Sequence, residues 1–87
     1  MSELEIIEIK VKGIIDIINK LNDIDTIVSF DSLKKEDKFI NCYWVDISID
    51  FKGKIKHTSL YFYTDNMLDE IFCKIKNIID KVGGYIL

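Results

Sequence analysis

Eighty-seven residues with a formal net charge of −3 fit one small domain, residues 1–87, with a single core and no room for a deep, many-layered active site. Hydrophobic residues make up 48% of the chain and charged residues 31%, which excludes a disordered polymer. All 12 basic residues are Lys, and a duplex-binding face, which draws on Arg forks and a high pI, is disfavoured.

The opening, Met1-Ser2-Glu3-Leu4-Glu5, is acidic where a secretion signal is basic, and no apolar run approaches the roughly 18 residues of a membrane span. A cytoplasmic protein with no membrane partner is expected. Residues 5–11 alternate as a strand, with Ile7, Ile9 and Val11 on one face. Leu4, Ile7, Val11, Ile14, Ile18 and Leu21 also keep a 3-4-3-4-3 spacing, which is a helical seam. Gly13 and the density of β-branched residues favour a strand followed by a helix over residues 13–22. In that helix Ile14, Ile15, Ile17, Ile18 and Leu21 point inward.

Residues 24–30 read as a second strand, with Ile24, Thr26, Val28 and Phe30 on one face, and the polar residues 31–38 read as a loop. Residues 39–51 and 54–64 read as a hairpin, because both are rich in β-branched and aromatic residues and Lys52-Gly53 stands between them. Tyr43, Val45, Ile47, Ile49 and Phe51 share one face; Cys42, Trp44, Asp46, Ser48 and Asp50 share the other. Lys-Gly is a weaker turn signal than Asn-Gly, so two registers stand open. A two-residue loop pairs Phe51 with Lys54 and Val45 with Leu60; a bulged loop pairs Asp50 with Lys54 and Trp44 with Leu60, and exchanges the faces of one strand.

The last helix is the clearest element. Met67, Leu68, Ile71, Phe72, Ile75, Ile78, Ile79 and Val82 form one stripe over residues 66–82. Asp69 and Glu70 complement its positive end, and Gly83-Gly84 supplies the stop. Tyr85-Ile86-Leu87 adds a short last strand or packs on the core. The expected class is α+β: an antiparallel sheet of three or four strands with two helices on one face, in the order β-α-β-β-β-α.

Chemistry-bearing residues are sparse. His57 is the only histidine, and its strand neighbours Thr58 and Ser59 do not form a nucleophile with its base. Cys42 and Cys73 lie far apart among apolar residues and read as buried thiols. One His and two distant Cys make no zinc site, and Asp46 and Asp50, about 13 Å apart along a strand, do not share one ion. The glycines form no phosphate cradle. No catalytic, metal or cofactor site is expected.

Lys52, Lys54 and Lys56 stand at the hairpin tip, with Lys34, Lys35 and Lys38 before it. An α-β-β-β-α order with a basic hairpin resembles the topology of double-stranded RNA-binding domains. That resemblance implies a basic start to the last helix, gripping phosphates. The matching segment here is Asp65-Asn66-Met67-Leu68-Asp69-Glu70, which repels them, so nucleic acid is not the expected partner. A solvated Lys edge that resists strand pairing accounts for the lysines.

The aromatic set Tyr43, Trp44, Tyr61, Phe62 and Tyr63 gathers at the end of the hairpin away from its turn. With both helices on one face, the Trp44 face is left uncovered, and such a patch marks an interaction surface. The expectation is a small acidic non-enzymatic interaction protein. Its concrete form is a phage-type, anti-defence inhibitor of a host nucleic-acid enzyme, acting by acidic charge mimicry. Trp44, Tyr61, Tyr63, Asp46, Asp50, Asp65, Asp69 and Glu70 are the contact candidates. The alternative is a homodimer that buries the same face, structural or binding a small ligand.

Overall fold

Ser2 and Glu5 start the chain as a helix. Ser2 Oγ accepts the Glu5 N–H at 3.2 Å, and Glu5 Oε1 accepts the Ser2 N–H at 3.4 Å. This reciprocal capping box satisfies two N–H groups that a helix start leaves without partners. In the computed structural model, which describes residues 1–22 and 25–82 and only the backbone of Val82, helix α1 runs unbroken over Glu3–Leu21. The strand expected over residues 5–11 is therefore the first part of this helix. Its seam is the 3-4 one: Ile7, Val11, Ile14 and Ile18 are buried, whereas Ile9, expected on the inner face of a strand, is 58% exposed. The cap and the amphipathic seam outweigh the weak strand preference of isoleucine and valine, a preference that itself reflects packing. Ile17, expected inward, lies 48% exposed in the open groove between α1 and the start of α2.

Strand β1 spans Thr26–Lys35, β2 Cys42–Phe51 and β3 Lys54–Tyr63; a single 3-10 turn, Thr64–Asn66, leads into helix α2, Met67–Val82. The order α-β-β-β-α keeps the expected α+β class and differs at its first element. The expected last strand at residues 85–87 and the stop at Gly83-Gly84 lie outside the described residues, as does Ile24. Residues 31–35, expected as loop, extend β1. The register shifts between Phe30 and Ser32, so Asp31 is the extra residue of a bulge. Beyond it Ser32 faces Asp46 and Lys34 faces Trp44.

The sheet is antiparallel in the order β1-β2-β3. Phe51 pairs with Lys54, Val45 with Leu60 and Tyr43 with Phe62, so the hairpin takes the two-residue register. Lys52 and Gly53 have φ of 54° and 85°. Positive φ at both central residues is the type I′ geometry whose twist matches a hairpin, and Asp50 Oδ1 accepts the Gly53 N–H at 2.9 Å.

One hydrophobic core joins the layers. Tyr43, Val45, Ile47, Ile49, Leu60 and Phe62 from the sheet meet the α1 seam and Met67, Ile71, Ile75 and Ile79 of α2. Tyr43 and Phe62 stack with centroids 6.0 Å apart. The Tyr43 hydroxyl donates to Glu3 Oε1 at 2.8 Å, tying the start of α1 to β2.

Both free sheet edges are blunted by helix side chains. Asn19 Nδ2 donates to the Val28 carbonyl and Asn19 Oδ1 accepts the Val28 N–H, each at 2.8 Å. Asn19 thereby imitates a neighbouring strand along β1. On β3, Glu70 Oε2 accepts the Tyr63 N–H at 2.7 Å and Lys74 Nζ donates to the Tyr61 carbonyl. Such occupied edges resist pairing with another chain.

Candidate functional site

With both helices on one side of the sheet, the opposite, outer face carries Cys42, Trp44, Asp46, Ser48 and Asp50 of β2. These pair with Tyr63, Tyr61, Ser59, His57 and Ile55 of β3. Two regions divide this face.

The first is an aromatic cleft at the end away from the hairpin turn. Glu36, Phe39, Cys42, Trp44, Tyr61 and Tyr63 line a space of about 250 Å³. Trp44 and Tyr61 lie 5.6 Å apart at 57°, and Tyr61 and Tyr63 lie 6.4 Å apart at 88°. The three rings are inclined to one another and form walls rather than a flat stack. The Trp44 indole N–H donates to Glu36 Oε2 at 2.6 Å, and the Lys38 N–H donates to Glu36 Oε1 at 3.1 Å. The Trp44 bond first, then that backbone bond, holds the Glu36 carboxyl below its usual range, so it is ionised at neutral pH. At the floor, Cys42 is 2% exposed, and burial, aided by the nearby Glu36 charge, pushes its thiol up. Lys74 reaches over from α2, with Nζ 3.7 Å from the Tyr61 ring centre and 3.8 Å from Glu70 Oε1.

The second region is a hydroxyl and carboxylate array nearer the turn. Ser32 Oγ donates to Asp46 Oδ2 at 2.8 Å, and Ser59 Oγ donates to Asp46 Oδ1. These two bonds, Ser59 first, hold the Asp46 carboxyl below its usual value. Ser48 Oγ donates to Asp31 Oδ2 at 2.5 Å and lies 2.9 Å from His57 Nδ1. The direction of the Ser48–His57 bond follows the imidazole tautomer. The Asp31 carboxylate sits on the serine, and its Oδ2 lies 3.9 Å from the same ring nitrogen, His57 Nδ1, so it does not orient the imidazole through the second nitrogen as a triad carboxylate does. Among the described residues no three metal-ligating side chains cluster.

The contact candidates fall into separate places. Trp44, Tyr61 and Tyr63 meet in the cleft, Asp46 lies beside it, and Asp50 closes the hairpin turn. Glu70 is at the β3 edge on the Tyr63 N–H. Asp65 and Asp69 instead line an open groove of the helical layer with Lys10, Gly13, Ile14 and Ile17. The eight residues therefore form no single acidic band. Cys73, expected buried, is exposed on α2 and both thiols are free; Cys73 lies outside the Ile71–Ile75–Ile79 stripe that meets the core.

Comparison with protein-family models, with curated proteins and with solved structures finds no match. The likeness to double-stranded RNA-binding domains is one of element order alone, and the 3-10 turn with Asp65 and the first turn of α2 with Asp69 and Glu70 are acidic, against the basic start that the resemblance implies. No helix among the described residues is long and apolar enough to cross a membrane.

Asp31, Glu36 and Phe39 are the site residues that sequence reasoning missed; Asp31 and Glu36 lie in the stretch taken as a polar loop, and Phe39 stands at the start of the expected strand 39–51, which begins instead at Cys42. The one signal is Phe39-Ile40, an apolar pair directly after that charged stretch. The turn that sets Phe39 in the cleft wall with Trp44 closes where the Glu36 N–H bonds the Cys42 carbonyl at 2.9 Å.

Proposed function

We propose that the protein is a small, acidic, non-enzymatic interaction module that docks a protein partner on the outer face of its sheet, anchored at Trp44, Tyr61 and Tyr63. The observation that carries this reading is the cleft. It is concave, aromatic-walled and braced by the Trp44–Glu36 hydrogen bond. Trp and Tyr dominate binding hot spots because they supply large contact area at little entropic cost. A second apolar region, Ile9 and Ile17 on α1 with Leu68 on α2, is aliphatic and borders an open groove, so it makes the poorer anchor.

The partner is basic. Asp31, Asp46, Asp50 and Glu36 stand on or beside this face, with Lys34 opposite Trp44, Lys38 beside Glu36 and Lys74 over Tyr61, itself balanced by Glu70, as the cations set against them. Opposite charge steers such a partner and makes the association salt-sensitive. A host nucleic-acid enzyme, inhibited in the anti-defence manner by carboxylates seated in its basic groove, fits that chemistry. A second copy of the chain, the alternative occupant, brings the same carboxylates against themselves. Strand-to-strand dimers are opposed by the occupied edges at Val28, Tyr61 and Tyr63. Two free thiols suit a reducing cytoplasm.

Capture from nuclease-treated lysate by immobilised protein tests this reading, with Trp44→Ala as comparator. Trp44 is outside the hydrophobic core, so the variant keeps its far-UV circular dichroism. One stoichiometric basic partner, lost from Trp44→Ala and released by salt, is the expected result. A partner held equally by Trp44→Ala, or a wild-type solution mass near twice 10.2 kDa with no partner, contradicts it.

A further inference from the structure

We propose that the cleft between Trp44, Tyr61 and Tyr63 is an aromatic cage for a methylated ammonium group carried on a side chain of the docking partner. This rests on the reading of the outer face as a docking surface, and it names the chemistry recognised there.

Three observations converge. The ring faces of Trp and Tyr carry negative quadrupole charge and attract a cation within about 6 Å of their centroids. Here three mutually inclined rings, spaced 5.6 and 6.4 Å, wall one space. Tyr61 already carries one ammonium against its ring, with Lys74 Nζ 3.7 Å from the ring centre. Lys74 does not itself line the cleft, and Glu70 balances its charge.

The second observation is the wall-forming carboxylate. Glu36 supplies a full negative charge beside the rings, and a neutral apolar side chain has no use for it. The third is how that carboxylate is bonded. Each of its oxygens already accepts one N–H, from Trp44 and from the Lys38 backbone. An Arg fork needs both oxygens open for parallel hydrogen bonds. A methylated ammonium needs charge and ring contact but few or no hydrogen bonds, and so matches a carboxylate whose lone pairs are partly spent. The space, about 250 Å³, is below the roughly 300–1,000 Å³ of sites that enclose a whole ligand. It suits one head group presented from outside.

Choline and its neutral isostere 3,3-dimethyl-1-butanol are the probes, at ionic strength held constant with sodium chloride. The protein has one Trp, so Trp44 emission reports the cleft directly. Choline is expected to change that emission saturably and to bind about five- to tenfold more tightly than the isostere, the ratio of a cation–π contact worth ~1 kcal/mol. Glu36→Gln is expected to lower choline affinity several-fold and leave the isostere unchanged. Equal binding of the two probes, or no saturation by choline, overturns the cage. Choline is also expected to displace the captured partner where the isostere does not. A partner lost from Trp44→Ala yet indifferent to choline overturns the cage while leaving the docking face in place. Retention of that partner by Trp44→Ala overturns both.

Discussion

Asn19→Ala removes the side chain that stands in for a fourth strand at the β1 edge. Two hydrogen bonds to the Val28 backbone, both 2.8 Å, disappear, and Val28 is only 2% exposed, so water replaces them poorly. At about 0.5–1.5 kcal/mol each, the pair is worth roughly 1–3 kcal/mol. Alanine returns about 0.5 kcal/mol of helix propensity near the end of α1. The net expectation is a loss of roughly 0.5–2.5 kcal/mol. With a urea m-value near 1 kcal/mol/M for a chain this small, the midpoint falls by about 0.5–2.5 M. Urea unfolding followed by Trp44 emission measures it, with sedimentation velocity alongside. The uncovered edge is expected to add concentration-dependent self-association that the wild type lacks. An unchanged midpoint with an unchanged mass refutes the claim that Asn19 guards this edge.

Three further outcomes follow from single observations. Gly13→Ala places a methyl on an exposed helix position with no neighbour within 4 Å; it is expected to stabilise the fold by about 0.5–1 kcal/mol, read as a higher melting temperature. Ser59→Ala removes the stronger of the two bonds that depress the Asp46 carboxyl. A depressed folded value stabilises the fold above the unfolded value and is lost as pH falls through the folded one. The variant is therefore expected to be less stable than wild type at pH 7 and to converge on it as pH falls through the depressed folded value; a gap that stays constant as acid is added contradicts the assignment. At pH 8 a thiol reagent is expected to modify Cys73 at once and Cys42 only on unfolding, since the buried thiol at the cleft floor is held up by desolvation; two equal rates contradict it.

The helical stripe of α2, except Leu68, which lies 53% exposed, and the inward face of β2 were legible in the sequence because each repeats one period over many residues. The hairpin register was not. It rests on Lys52 taking positive φ, a conformation its side chain does not favour but the paired strands demand. The first helix was hidden by Ile and Val, whose strand preference is packing in disguise, while the short Ser2–Glu5 signal announced it. Asp31 looked like a loop residue because a bulge breaks the alternation by one position and nothing local marks it. The cleft was half legible. Its rings sit on adjacent strands at readable spacing, whereas Glu36 reaches Trp44 only through the path of residues 36–41. The scatter of Asp65 and Asp69 away from Trp44 is a tertiary fact, since sequence shows that carboxylates are plentiful and not which layer they join.

The most direct measurement is photo-crosslinking in cell extract. Phe39→p-benzoylphenylalanine places the probe at the wall of the aromatic cleft while leaving the three anchor rings intact, and Ile17→p-benzoylphenylalanine places it on the helical layer, both at exposed positions. The account predicts one salt-sensitive crosslinked partner from position 39 and none from position 17. Crosslinking from position 17 alone, with position 39 silent, contradicts it.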